Sequence, residues 1–231
     1  MARTGVVGAY VGLFGLLLAA MGSWLQAPAG PAGPETWRQG VRLAAELDPF
    51  RTFLGGIFGS LGCTLALAGL VPVHRAVVPA GRPLAWVVSS GLALWLVELG
   101  AWHGIRPMLA HLHRVAELTL DARDYTTALT YLNVHRAFGG VGRCFGSVCV
   151  FFTVLFRDTV YPRAAAAAAP VLWVLGIRAV PVLPAGTAAT VLFVYLDALF
   201  VPLFAATAWA LRPADRTGLP PPSAARDPEP R

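Results

Sequence analysis

A chain of 231 residues that is 56% hydrophobic and only 13% charged cannot clothe a water-facing globule, which ordinarily carries about 25% charged residues. Its formal charge of +6 comes from eighteen arginines against twelve acidic residues, with no lysine anywhere. Most of the charges fall in short polar connectors and the arginines form no basic helix, which fits the positively flanked spans of a membrane protein better than a nucleic-acid reader.

Crossing a hydrocarbon layer of about 30 Å takes about 20 mainly apolar helical residues, and six stretches approach that length. The first, Gly5 to Leu25, follows Arg3. Ala27 and Ala29 offer a small-residue cleavage pattern, but the run exceeds the roughly 7–15 residues of a signal-peptide core, so it reads as a retained span. Residues 27–34 alternate Pro, Gly and Ala as a helix-breaking linker. Asp48 before Pro49 pairs an N-cap acceptor with a first-turn proline and starts a second span, Phe50 to about Val73. Residues 79–82 make a tight turn, Pro83 opens a third span to about Trp102, and the two form an antiparallel hairpin.

His103 to Arg136 reads as an amphipathic connector lying on the membrane surface or capping the bundle. Ile105, Met108, Leu109, Leu112 and Val115 recur at helical spacing, with Pro107 in the first turn. Asp124 is expected to cap a second helix leading through Tyr125, Leu129 and Leu132 into a fourth span, Ala137 to Phe156. After a polar exit at Arg157 to Arg163 come a fifth span, Ala164 to Leu183, interrupted by Pro170 and Pro181, and a sixth, Thr187 to Leu211. The expected fold is all-α: a polytopic transmembrane helical bundle of about six spans over 1–211, with an amphipathic connector between the third and fourth. Residues 212–231 form a tail too poor in apolar residues to fold. Placing both termini in the cytoplasm puts nine arginines on that side against seven on the other, with the shortest loops favouring this orientation.

Ionisable side chains inside spans each cost about 2.5–3.5 kcal/mol at the centre of an inserted helix and must meet a partner or a cavity. Glu98, Arg143, Arg178 and Asp197 qualify, Asp197 lying near the middle of the sixth span. Two readings stand. Arg143, Arg178 and Asp197 form structural ion pairs that fix helix register, with one of the arginines within hydrogen-bonding reach of Asp197. Alternatively, Glu98, His103 and Asp197 form an acid/base site acting on a lipid-like or isoprenoid-like molecule. His103 follows Glu98 by five residues, about 140° around a helix, so the two meet only where the helix unwinds near His103-Gly104 or a neighbouring span joins them.

No metal or other cofactor is expected: His103 and His111 lie about 12 Å apart along a helix, and no His-x-x-x-His or Glu-x-x-His pair exists. Cys63, Cys144 and Cys149 sit in apolar stretches as small hydrophobes. Gly55 with Gly59, and Gly142 with Gly146, are spaced for close helix packing within the bundle. Trp37, Trp86, Trp95, Trp102, Trp173 and Trp209 read as interfacial anchors. Phosphate loops, nucleophile elbows and zinc-protease motifs are missing from the sequence. The expected partners are the lipid bilayer and a hydrophobic small molecule, with no nucleic acid. A regulatory or assembly protein holding a soluble partner through its loops or arginine-rich tail is an alternative. A small transporter with proline-broken spans is another.

The order of Gly22-Ser23-Trp24-Leu25, Leu70-Val71-Pro72, Pro79-Ala80-Gly81, His103-Gly104, Tyr161-Pro162-Arg163, Pro170 and Pro184-Ala185-Gly186 resembles an uncharacterised family of six-span bacterial integral membrane proteins, a domain of unknown function. The likeness covers nearly all of the chain except the tail and implies a six-span inner-membrane fold without an established activity. Where such proteins tend to carry serine and phenylalanine after His-Gly, this chain has Ile105 and Arg106.

Overall fold

The structure, a computed structural model, describes residues 2–27, 45–119, 122–172 and 199–212. Helix α1 (Ala2–Leu25) is apolar on nearly every side. Helix α2 (Pro49–Val77) opens as its sequence dictates: Asp48 Oδ1 accepts from the Arg51 backbone N–H at 2.8 Å and Pro49 occupies the first turn. A 3₁₀ turn (Val78–Ala80) and Gly81, at φ 122°, then reverse the chain. Only glycine adopts that left-handed geometry without strain. Helix α3 (Arg82–Thr119) descends beside α2, and α4 (Ala122–Phe156) returns. A second 3₁₀ segment (Arg163–Ala168) and the short α5 (Val201–Ala210) complete the described residues.

Four of these helices, α1 to α4, contain stretches long and apolar enough to cross a membrane. The chain is an all-α protein with the helices of a polytopic membrane protein. Side-chain partitioning agrees. Phe14, Leu17, Phe50, Val141 and Phe156 each expose about 60% or more of their surface, while Ser23, Gln26, Thr52, Glu98, His103, Arg106 and Thr207 are buried. So much exposed apolar surface is more than water tolerates on a soluble monomer and is what hydrocarbon favours.

Small residues allow the helices to approach closely. Along the α1–α2 seam Gly8, Gly12, Gly15, Ala19 and Gly22 face Pro72, Gly69, Ala66, Gly62 and Gly59; a Cβ on Gly22 would lie 2.4 Å from the Gly59 nitrogen and 2.6 Å from the Gly55 oxygen. Gly55 and Gly59 thus serve intramolecular packing. Gly142 and Gly146 do likewise, the backbone of Gly146 lying against Gly91 of α3. Opposite polarity at the helix ends is latched by arginine. The Arg51 guanidinium donates to the Trp24 and Ala27 carbonyls at the end of α1, 3.3 Å each, and lies over the Trp24 ring at 5.8 Å.

The connector departs from the sequence expectation. No surface helix begins at His103: α3 runs 38 residues without a break, about 57 Å or nearly twice the hydrocarbon thickness. Pro107 lies inside it. A proline there has no N–H to give the carbonyl four residues back, and that carbonyl, His103 O, instead accepts from Nε2 of Gln26, the residue after α1, at 3.1 Å. The helix continues because a neighbour supplies the missing donor. Asp124 likewise lies within α4, which begins at Ala122, and is not the cap of a separate helix. The described residues hold four of the expected crossings rather than six. The fifth expected span opens as a 3₁₀ turn at Arg163–Ala168, the sixth ends in the ten-residue α5, and residues 173–198 and 213–231 lie outside the described residues. Trp95, expected at an interface, is fully buried against Phe200, ring centroids 4.6 Å apart, whereas Trp86 and Trp209 are exposed. Trp37 and Trp173 lie outside the described residues.

The helices α1 to α4 follow one another side by side, and α5 lies across one face of this layer. Phe204 of α5 packs on Gly12 and Gly69, and Tyr161 Oη meets Thr207 Oγ1 at 2.6 Å. The start of α1, the α2–α3 turn and the end of α4 share one end of the bundle, where Val160 N–H donates to Ala76 O and Arg212 donates to Tyr10 Oη at 2.9 Å.

Candidate functional site

Glu98 and His103 sit on one helix but face different neighbours. Glu98 is directed to α4, where Gly139 leaves room for it: a Cβ on Gly139 would fall 2.1 Å from Glu98 Cγ. Its Oε2 is 3.9 Å from an Arg143 guanidinium nitrogen, and that guanidinium also lies over the Trp95 ring at 5.4 Å. Two compensations thus attend the arginine, a carboxylate and an aromatic face. Ser147 Oγ donates to the Arg143 carbonyl. His103 is directed to α2, where Gly59 leaves the space its ring fills, and only 1% of its surface is exposed. Because α3 stays helical through His103-Gly104, the two side chains are not brought together. At 1.5 Å per residue from Arg82, Glu98 lies about 24 Å and His103 about 32 Å along the helix, so a hydrocarbon layer of about 30 Å beginning at Arg82 would hold Glu98 inside it and His103 at its far edge. Arg106, one turn on, is also buried. Arg178 and Asp197 lie outside the described residues, as does any contact between Asp197 and Arg143. Among the described residues no group of three His, Cys, Asp or Glu gathers as a metal site would require.

Room for a ligand lies elsewhere. Three clefts of about 590, 380 and 440 Å³ line the seam between α2 and α3. The first and second share Ser60 and Gly104, and the second and third share Leu67, so they form one groove along the helix pair. Its floor is made of small residues, Gly56, Ser60, Ala93, Gly100, Ala101 and Gly104, with Ser60 Oγ bonded to the Gly100 carbonyl at 2.8 Å. Neither Glu98 nor His103 lines any of the three clefts. At 100° per residue, the α3 residues Trp86, Ala93, Val97 and Gly104 stand opposite Trp95, which faces Phe200 at the residue preceding α5. The groove therefore opens on the face of the layer away from α5, toward the surrounding medium. One end holds His111 and Arg114, and the other His74 and Arg75.

His74 was not singled out by sequence, yet its ring is the most elaborated polar group in the groove. Its Nδ1 is 3.0 Å from Ser89 Oγ and its ring is 4.6 Å from that of Trp86. The signal lay in the hairpin: residues equidistant from the turn at 81–82 face each other, and His74 and Ser89 are such a pair.

Tyr161, outside the spans, is the other buried titratable group of note. Burial pushes its phenol well above the ordinary value, a rise that the hydrogen bond with Thr207 partly offsets.

Comparison of the chain with protein-family models, with curated proteins and with solved structures finds no match.

Proposed function

We propose that this chain is a multi-pass membrane protein that binds a lipid-like or isoprenoid-like molecule laterally, in the groove between α2 and α3. The observation that carries the reading is the continuity of that groove. It runs from Arg114 to Arg75, over most of the length of both helices, with a floor of small residues and an opening on the side left uncovered by α5. An apolar trough ended by polar and cationic groups matches the shape and polarity of an amphiphile, and ligand sites are concave, mostly apolar and sparsely polar. Glu98 with Arg143 acts in this reading as a register-fixing ion pair, because its carboxylate is enclosed against Gly139 and does not line the groove.

Orientation follows the same physics. Arg75, Arg82, Arg157, Arg163 and Arg212 are all exposed at the end shared by the α2–α3 turn and the close of α4. At the opposite end Arg51 and Arg114 are engaged with backbone carbonyls. Short loops rich in arginine stay on the cytoplasmic side, which supports cytoplasmic placement of the turn end and of the beginning of α1, in an inner membrane. The test is native mass spectrometry of the full chain extracted in mild detergent. An adduct of lipid-like mass at about one copy per chain is expected, and it disappears from an Ala93→Phe/Ala101→Phe variant whose circular dichroism is unchanged. A wild-type chain without an adduct, or a filled variant that keeps it, overturns the proposal.

A further inference from the structure

We infer that the His74–Arg75 end of the groove seats the anionic phosphate of a membrane lipid, an assignment that rests on the groove being a lipid site. The cleft there has a volume of about 440 Å³ and is lined by His74, Arg75, Trp86, Ser89, Ser90 and Ala93. Its protonation pattern follows from which atoms can donate. Ser89 Oγ lies 2.6 Å from the Ala85 carbonyl, and a carbonyl only accepts, so the serine proton is directed to Ala85. The serine oxygen then presents a lone pair to His74 Nδ1, 3.0 Å away, and the imidazole holds its proton on Nδ1. Ser89 is accordingly not a nucleophile activated by His74. Nε2 is left for whatever enters the cleft: neutral, it accepts from a protonated phosphoryl oxygen, and protonated, it donates to an ionised one.

Trp86 holds the ring from the side, centroid to centroid 4.6 Å. Arg75 and Ser90 are exposed beside it, the first a permanent cation and the second a hydroxyl donor, so both helices contribute to an oxyanion seat. Charge complementarity selects this end of the groove. At the other end the Arg114 guanidinium is already committed to the carbonyls of Ala45 and Leu47. One acyl chain of about 15 Å, the depth of a leaflet, would occupy only the stretch of the groove from Ser89 to about Gly100. A lipid with its phosphate at His74 and Arg75 would lay one chain along the seam toward Ser60.

The full chain, delipidated in detergent, is titrated with phosphatidic acid, phosphatidylglycerol and phosphatidylcholine of identical acyl chains, and bound lipid is read by native mass spectrometry. The two anionic lipids are expected to be retained roughly tenfold better than phosphatidylcholine. That preference falls to near unity in His74→Ala/Arg75→Gln, falls partway in Ser90→Ala, and is unchanged in Arg82→Gln, whose arginine is exposed at the same end but does not line the cleft. Lipid bound without headgroup preference, or a preference that survives in the double variant, overturns the phosphate seat while leaving the groove intact. A chain that retains no lipid of any kind overturns both. Inorganic phosphate in large excess is expected to leave the adduct in place; displacement by it would assign the cleft to a soluble phosphate compound and overturn the lipid assignment.

Discussion

Gly62→Ala adds one methyl group where α1 and α2 pack backbone against backbone. The new Cβ would lie 2.4 Å from the Ala19 nitrogen, 2.5 Å from the Gly15 oxygen and 2.9 Å from Ala19 Cα, and all three are backbone atoms that no rotamer change can move. Non-bonded carbon contacts are comfortable from about 3.5 Å, so the helices must part locally by about 1 Å, which forfeits a quarter to a half of each affected dispersion contact. Overpacking of this kind costs about 1–3 kcal/mol, and a rigid backbone obstruction belongs at the upper end. Alanine recovers up to about 1 kcal/mol of helix propensity relative to glycine, for a net loss of about 2 kcal/mol. Gly140→Ala is the matched control, because a Cβ there meets nothing within 4 Å and only the propensity gain of up to about 1 kcal/mol remains. The two alanine variants should therefore differ by about 3 kcal/mol when helicity is followed by circular dichroism as mild-detergent micelles are titrated with dodecyl sulfate. Equal midpoints would refute the close backbone seam between α1 and α2.

Arg143→Ala removes the cation beside Glu98 and from the Trp95 face; a loss on the order of 3 kcal/mol is expected, and a double-mutant cycle with Glu98→Gln should return a clear coupling, whereas strict additivity would deny the pair. Gly59→Ala collides with the His103 ring, whose Cγ would be 2.1 Å from the new Cβ. Adding His103→Ala should restore part of the lost stability in the same titration, and failure to do so would mean that the ring is not what Gly59 accommodates. Tyr161 gives a pH signature. Its folded-state pKa is raised by burial, so its contribution to stability is complete below the unfolded phenol's value near 10 and declines as the pH climbs above it. The chain has no lysine to titrate in that range. Unfolding midpoints measured from pH 8 to 11 should fall at the alkaline end for the native chain and stay flatter for Tyr161→Phe; parallel curves would contradict the burial.

The parts of the fold written in local chemistry were legible from residues alone. The Asp48-Pro49 start of α2, the reversal at Gly81 and the close packing at Gly55 and Gly59 depend on neighbours in sequence or on the absence of a side chain. The course of α3 was not legible, because Pro107 is locally a helix-opening residue and becomes an interior one only when Gln26, 81 positions away, supplies a donor to His103 O. The glycines opposite Glu98 and His103 were hidden for a similar reason. Gly139 was not singled out, and Gly59 read only as a packing residue, although each also makes the hole that a polar side chain fills. The groove was likewise unseen, since small residues such as Ala93, Gly100 and Gly104 look like packing until both helices are in register. The hairpin register would have exposed it: pairing residues equidistant from the 81–82 turn sets His74 against Ser89 and Gly56 against Pro107, as found.

Contact of hydrocarbon with the outward faces of α1 to α4 is tested most simply by the physical state of the intact chain after detergent is withdrawn. The exposed belt that includes Phe14, Leu17, Phe50, Phe156 and Trp86 predicts precipitation or large aggregates in plain buffer and full recovery with floating vesicles when lipid is supplied. A monodisperse, helical, lipid-free chain in buffer alone would contradict it.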